Sequence, residues 1–208
     1  VEQTGGVEQT GGTGEDTGGA AGTGGGGGSD TSPGCGSTNT SSPCSSSGSP
    51  CSLDIDGTPR SYYVQLPASY DPSTPYPVIF QFHPWGGSAE GAMTMYQLNS
   101  KIPNAIYVSP QGLEAGGAGA GWANSGGEDI AFTQAMVADV QEKYCVDNTR
   151  IFSTGFSYGG MMSFAIGCEM SDVFRAIAPM AGSLYSDFNC QGTGPAIAMW
   201  GAHGTSDT

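Results

Sequence analysis

The chain has 208 residues, enough for one domain with a sizeable core, and 36 of them are glycine. Its 19 acidic residues outweigh five basic ones, for a formal charge of −14. Such a surface repels phosphate backbones and anionic membranes, which argues against nucleic-acid partners, and no apolar run approaches membrane-spanning length.

Fourteen glycines fall in residues 1–34, a stretch without an aromatic residue that opens on a repeated hexapeptide, Val1–Gly6 and Val7–Gly12. It cannot bury enough surface to offset its ordering entropy, so it reads as a disordered tether whose removal should be harmless. Residues 35–52, rich in Ser, Pro and Cys, read as an irregular stapled segment, and residues 53–208 as the folded domain. The six cysteines (Cys35, Cys44, Cys51, Cys145, Cys168 and Cys190) include no C-x-x-C pair. Neither His83 nor His203 lies at zinc-finger spacing from them, so no metal or other cofactor is expected. Disulfides in an oxidising compartment are the better reading, and a Gly-rich leader before a Cys-bearing domain suits export.

Asp56-Gly57 reads as a turn before a strand at Arg60–Leu66. Pro77–Phe82 is an apolar run suited to a buried strand, Ser88–Leu98 is helical in composition, and Ala105–Ser109 is another short strand. Ile130, Val137, Val140 and Tyr144 mark one face of a helix over Glu128–Tyr144, with Glu128 and Asp129 complementing its N-terminal dipole. A strand at Arg150–Thr154, a helix at Tyr158–Glu169 and strands at Phe174–Pro179 and Ala196–Ala202 follow. Strands alternating with helices imply an α/β fold with a mainly parallel sheet covered on both faces.

The chain has one G-x-S-x-G, Gly155-Phe156-Ser157-Tyr158-Gly159. Chance supplies roughly 0.35 such matches at this Gly and Ser content, so its flanks carry the argument. A strand before it and a helix after it make the strand–turn–helix that presents a nucleophilic serine, here Ser157, above a sheet edge. An oxyanion hole would combine the Tyr158 amide, at a helix N-terminus, with an amide from the loop His83-Pro84-Trp85-Gly86-Gly87. Pro84 has no N–H, so Trp85 is the candidate. Asp207, in the loop after the Ala196–Ala202 strand, fits the order serine, acid, histidine. His203 precedes the acid and reads as a structural histidine fixing its loop, and His83 lies in the oxyanion loop.

Gly155–Gly160 with Met161-Met162-Ser163, Pro110–Leu113, Gly121–Asn124 with Gly127–Ile130, and His203–Asp207 resemble feruloyl esterases. The group in question is the carbohydrate-esterase family one and polyhydroxybutyrate depolymerase-like branch of the α/β-hydrolases. The resemblance covers about Cys35 to the C-terminus and implies a secreted enzyme releasing hydroxycinnamates from feruloylated plant xylan. The expected form is a monomer, with a tether suited to the cell surface. Acetylxylan esterases and polyester depolymerases share the scaffold, and a non-catalytic relative binding carbohydrate through exposed Trp85 and Trp122 is the reading from another class. The family also implies pairs Cys35–Cys145 and Cys168–Cys190, leaving Cys44–Cys51, out of fifteen connectivities. The family continues past its Asp loop to a catalytic histidine. The domain is therefore expected to be incomplete before its last strand and that histidine, nearly inactive as written and active when extended. The resembling loop is often His-Gly where this chain has His-Pro-Trp.

Overall fold

The computed structural model describes residues 29–42, 44–45, 48–114, 119–184, 190, 192 and 194–207. Its main sheet has seven strands: β1 (Cys51–Ile55), β2 (Thr58–Gln65), β3 (Tyr76–Phe82), β4 (Ile106–Pro110), β7 (Val146–Phe156), β8 (Ala176–Met180) and β9 (Ala198–Met199). Their order is β1-β2-β4-β3-β7-β8-β9. The β1/β2 and β2/β4 pairs are antiparallel and the other four are parallel, as the alternation of strands and helices predicts. This is the α/β-hydrolase arrangement in its described part.

Asp56 and Gly57 both have positive φ, 50° and 82°. Two left-handed residues close the two-residue turn that matches strand twist, so Asp-Gly joins β1 to β2 as a hairpin. The first arm of that hairpin, β1, had no counterpart in the sequence reading, where Cys51 and Ser52 belonged to the stapled segment. A second pair, β5 (Leu113–Glu114) with β6 (Ala120–Gly121), was also missed, being too short to show a period.

Helices α1 (Ala89–Tyr96), α2 (Glu128–Lys143) and α3 (Tyr158–Glu169) lie close to their expected spans. Ser88 caps α1 by accepting the Gly91 amide at 3.0 Å. Period-two alternation on β3 sorts the core. Val78, Phe80 and Phe82 pack with Phe132 and Met136 of α2 and Met162 and Ile166 of α3, while Ile79 faces the other way into a cluster with Tyr107, Leu98 and Phe152. Both faces of the sheet are therefore covered.

One expectation is corrected. The Ala196–Ala202 strand shrinks to β9 plus a bridge between Met180 and Ala202, and Met199 and Trp200 are exposed. Asp129 stands in the first turn of α2, as expected. It is buried and forms an ion pair with buried Arg60 at 2.7 Å, and the Arg60 guanidinium also lies 4.3 Å from the centroid of the Phe132 ring.

The boundary at residue 34 also moves. Residues 1–28 lie outside the described residues, but Ser29–Gly34 is held against the domain. The Ser32 hydroxyl donates to the Tyr144 carbonyl at 2.6 Å and accepts the Val146 amide at 2.8 Å. The Ser32 amide reaches the Val146 carbonyl, the Gly34 amide reaches that of Gln141, and Thr31 bridges Asp147. This strap uses backbone groups and one hydroxyl rather than apolar side chains, so apolar patterning could not reveal it. It leads into a disulfide, Cys35–Cys145; the structure also joins Cys44 to Cys51 and Cys168 to Cys190.

Deleting residues 1–28 should accordingly leave the melting temperature unchanged, whereas deleting 1–34 should not. Losing the six hydrogen bonds that Ser29, Asp30, Ser32 and Gly34 make to the domain, at about 1 kcal/mol each, corresponds to a drop of roughly 12–24 °C for a chain this size. Equal melting temperatures for the two truncations would show that the strap contributes nothing.

Candidate active site

β7 ends at Phe156 and α3 begins at Tyr158, with Ser157 alone between them. Ser157 has φ 54° and ψ −116°, a conformation that costs an L residue about 1–3 kcal/mol and persists only where surrounding contacts impose it. The Ser157 amide is fixed to the Met180 carbonyl at 2.9 Å, and its carbonyl accepts the Met161 amide at 3.0 Å. The motif glycines are required by close approach. A Cβ on Gly155 would collide with the backbone of Gly159, and one on Gly159 with the carbonyl oxygen of Phe82. The second collision carries positional information, because Phe82 is the last residue of β3. The start of α3 is pressed against the loop that leaves that strand.

That loop is His83–Gly87. Its first residue is fully buried, and both ring nitrogens are engaged: Nε2 accepts the Gly112 amide at 3.0 Å, which places the proton on Nδ1, donated to the Pro84 carbonyl at 2.7 Å. Burial holds this imidazole below its ordinary pKa, so it stays neutral with no lone pair for a substrate proton. The Trp122 indole N–H donates to the His83 carbonyl at 2.8 Å. Trp122 is fully buried, which corrects its expected role as an exposed carbohydrate-binding aromatic. Trp85 is the exposed one, and its ring meets that of Tyr158 edge-on with centroids 5.2 Å apart. The structure thus brings together Ser157, Tyr158 and Trp85, whose loop borders the elbow.

Asp207 lies on a different segment at the same end of the sheet. With His203 it lines a pocket of about 260 Å³ that also includes Ala181, Gly182 and Ser183. Gly182 is packed on Gly160 of α3, and the Ala181 amide donates to the Ala202 carbonyl at 2.7 Å. His203 Nδ1 stands 3.3 Å from Asp207 Oδ2, both side chains being substantially exposed.

Two positioning groups had no signature in the sequence. The Tyr96 hydroxyl donates to the Phe82 carbonyl at 2.7 Å and accepts the Phe156 amide at 2.8 Å, tying α1 to the residue before the nucleophile. Burial pushes this phenol up to about 12, so it remains a donor at any ordinary pH. Gln111 receives the Ala89 amide at 3.0 Å, linking the end of β4 to the start of α1. Among the described residues no cluster of His, Cys, Asp or Glu could hold a metal ion, and no helix is long and apolar enough to cross a membrane.

Residues 106–195 match the prolyl oligopeptidase family, Peptidase_S9. Feruloyl esterase D of Neurospora crassa is 38% identical over 169 residues, which cover 75% of this chain and 56% of that protein. Feruloyl esterase C of Emericella nidulans is 39% identical over 155 residues, 71% of this chain and 55% of that protein. The chain is a homologue of feruloyl esterases. The homologue spans about half the length of the curated relatives it matches. Its fold agrees with that of an acetyl xylan esterase from Aspergillus awamori at a TM-score of 0.57 and 21% identity, covering 71% of the homologue and 58% of that chain. A ferulic acid esterase gives 0.52 at 23% identity, over 64% and 58% respectively. Both place the homologue in the α/β-hydrolase fold.

Proposed function

We propose that the whole protein is a secreted serine carboxylic-ester hydrolase that releases ferulate or related hydroxycinnamates from plant cell-wall xylan. The observation that carries this is the strained Ser157 between Gly155 and Gly159, in a chain 38% identical to a feruloyl esterase. Ser157 Oγ attacks the ester carbonyl and a histidine takes its proton. The tetrahedral oxyanion is held by the amides of Tyr158, at the positive end of α3, and Trp85. Collapse expels the sugar alcohol and leaves an acyl-enzyme, which water then hydrolyses to free acid and Ser157.

Asp207 orients that histidine. His83 is locked inside the fold, and His203 faces the acid from four residues earlier. We read His203 as holding the Asp207 loop, leaving the base to a histidine of the whole protein other than these two. Three disulfides suit an extracellular location. The protein is proposed to act as a monomer, with residues 1–28 serving as a tether to the cell surface.

The test compares the whole protein on methyl ferulate and on a short acetyl ester such as acetylated xylan. Ferulate release with kcat/KM at least tenfold above the acetyl ester is expected. Acetate release alone would replace this reading with an acetylxylan esterase, and no hydrolysis of either would favour a non-catalytic relative.

A further inference from the structure

The His83–Gly87 loop is fastened twice at each end. It leaves β3 at Phe82 and enters α1 through the cap, Ser88, so a strand end and a helix start hold it covalently. At the exit, the Ala89 amide donates to Gln111 Oε1 at 3.0 Å, and the next residue, Gly112, donates its amide to His83 Nε2. At the entry, the Phe82 carbonyl accepts the hydroxyl of Tyr96, the last residue of α1, at 2.7 Å. Residues 82–96 therefore form a closed circuit of strand end, loop and helix, shut by one hydroxyl.

The same oxygen has a second partner on another strand. β3 and β7 run parallel with Phe82 opposite Gly155, so Phe156 lies one residue beyond the last pair. Its N–H donates to Tyr96 Oη at 2.8 Å. Oη thus stands between an N–H of β7 and a carbonyl of β3, at the place where a parallel ladder would run from one to the other. Just past this point the strands part, one supplying Ser157 and the other the loop that carries Trp85. The Phe82 carbonyl is also where Gly159 is pressed, since a Cβ on that glycine would collide with its oxygen. A shift of this one carbonyl would therefore reach both the loop and the start of α3, where the Tyr158 amide lies. Donating and accepting at once requires a neutral phenol, which burial preserves.

We propose that Tyr96 is a positioning residue for the transition state: its hydroxyl sets the separation between the nucleophile and the loop bearing the second oxyanion donor. The proposal rests on the esterase reading above. Tyr96 itself touches no substrate and takes no proton. Without the hydroxyl, the Phe156 N–H and the Phe82 carbonyl must close on each other or both go unpaired. Either outcome moves Ser157 relative to the Trp85 amide. A ground-state ester would bind as before, whereas the tetrahedral oxyanion would meet misplaced donors.

The test is Tyr96→Phe in the whole protein, with active serines counted by titration to completion with a fluorophosphonate, so that any unfolded fraction drops out. A misplacement of about 1 Å costs about a hundredfold in rate, so kcat on methyl ferulate should fall by about 10- to 100-fold with KM within about twofold. On p-nitrophenyl acetate kcat should fall by the same factor, because the oxyanion is common to both esters. Affinity for phenylboronic acid, which forms a tetrahedral adduct with a serine, should weaken in parallel. Adding Tyr96→Phe to the inactive Ser157→Ala protein should leave its calorimetric affinity for methyl ferulate unchanged.

A rise in KM at constant kcat would make Tyr96 part of ester binding and overturn the proposal. So would a loss confined to methyl ferulate, which would tie the residue to the acyl group. A kcat within twofold per titrated serine, even with a lower melting temperature, would leave Tyr96 a strut for α1 alone and equally overturn it. In each of these cases the esterase stands. Failure of the unsubstituted protein on both esters would instead remove the esterase reading, and this proposal with it.

Discussion

Replacing Ser157 with alanine should lower turnover of the whole enzyme on methyl ferulate by about a millionfold, the loss seen when a triad nucleophile is removed. Asp207→Asn should cost about ten-thousandfold, since an amide would hold the histidine in the wrong tautomer. His203→Ala should cost far less than either, about tenfold, because it removes only a 3.3 Å contact to an exposed carboxylate. A millionfold loss in His203→Ala would make that histidine the base and overturn the assignment of its role. Stability supplies an independent reading of the same residue. At φ 54° a side chain is strained and glycine is not, so Ser157→Gly should stabilise the fold by about 1 kcal/mol while abolishing activity. A destabilised Ser157→Gly protein would mean that the elbow holds no strain for glycine to relieve.

The second large effect is expected at the Arg60–Asp129 pair, where both side chains are almost wholly buried. Arg60 already has Nε and Nη1 without a hydrogen-bond partner. Asp129→Ala would leave the guanidinium as an unpaired charge inside the protein and should cost about 3–5 kcal/mol. For a chain of this length that is a fall of roughly 6–20 °C in melting temperature. Removing both charges with Arg60→Met and Asp129→Leu should recover most of the loss, because the penalty arises from the orphaned partner more than from the missing attraction. Thermal unfolding of the single and double variants checks this. A single-variant loss below 1 kcal/mol would show that water reaches Arg60.

What could be read in the sequence follows the range of the interaction responsible. The strands at β2, β3, β4 and β7 and the helices α2 and α3 are legible because periodic burial writes itself into neighbouring residues. The elbow is legible for a related reason. Gly155 and Gly159 sit where backbones nearly touch, and only one residue type survives such contact. The first arm of the Asp56-Gly57 hairpin was hidden because β1 begins inside a Ser- and Cys-rich run that resembles loop. Tyr96, Gln111 and Ser32 act through one or two side-chain hydrogen bonds to backbone groups distant in sequence, and nothing in their neighbours announces it. Trp122 shows the converse failure. The non-catalytic alternative took it as an exposed ring, whereas it is buried with its indole N–H on the His83 carbonyl.

The strap over residues 29–35 also decides how the domain would bear a mechanical load. A pull applied upstream of Ser29 enters the fold through the hydrogen bonds to Gln141, Tyr144 and Val146 and then through the Cys35–Cys145 bond. All of these lie at the junction of α2 with β7, beside the parallel strands that form the middle of the sheet. The outer β1–β2 hairpin, the edge that would peel most readily, sits downstream of this anchorage and out of the line of tension. A cell-attached form could then be dragged by flow or by a moving substrate without fraying the sheet. The weakest covalent link along that path would be a bond between two sulfur atoms, so reducing conditions would shift the load onto the peptide chain beyond Cys35.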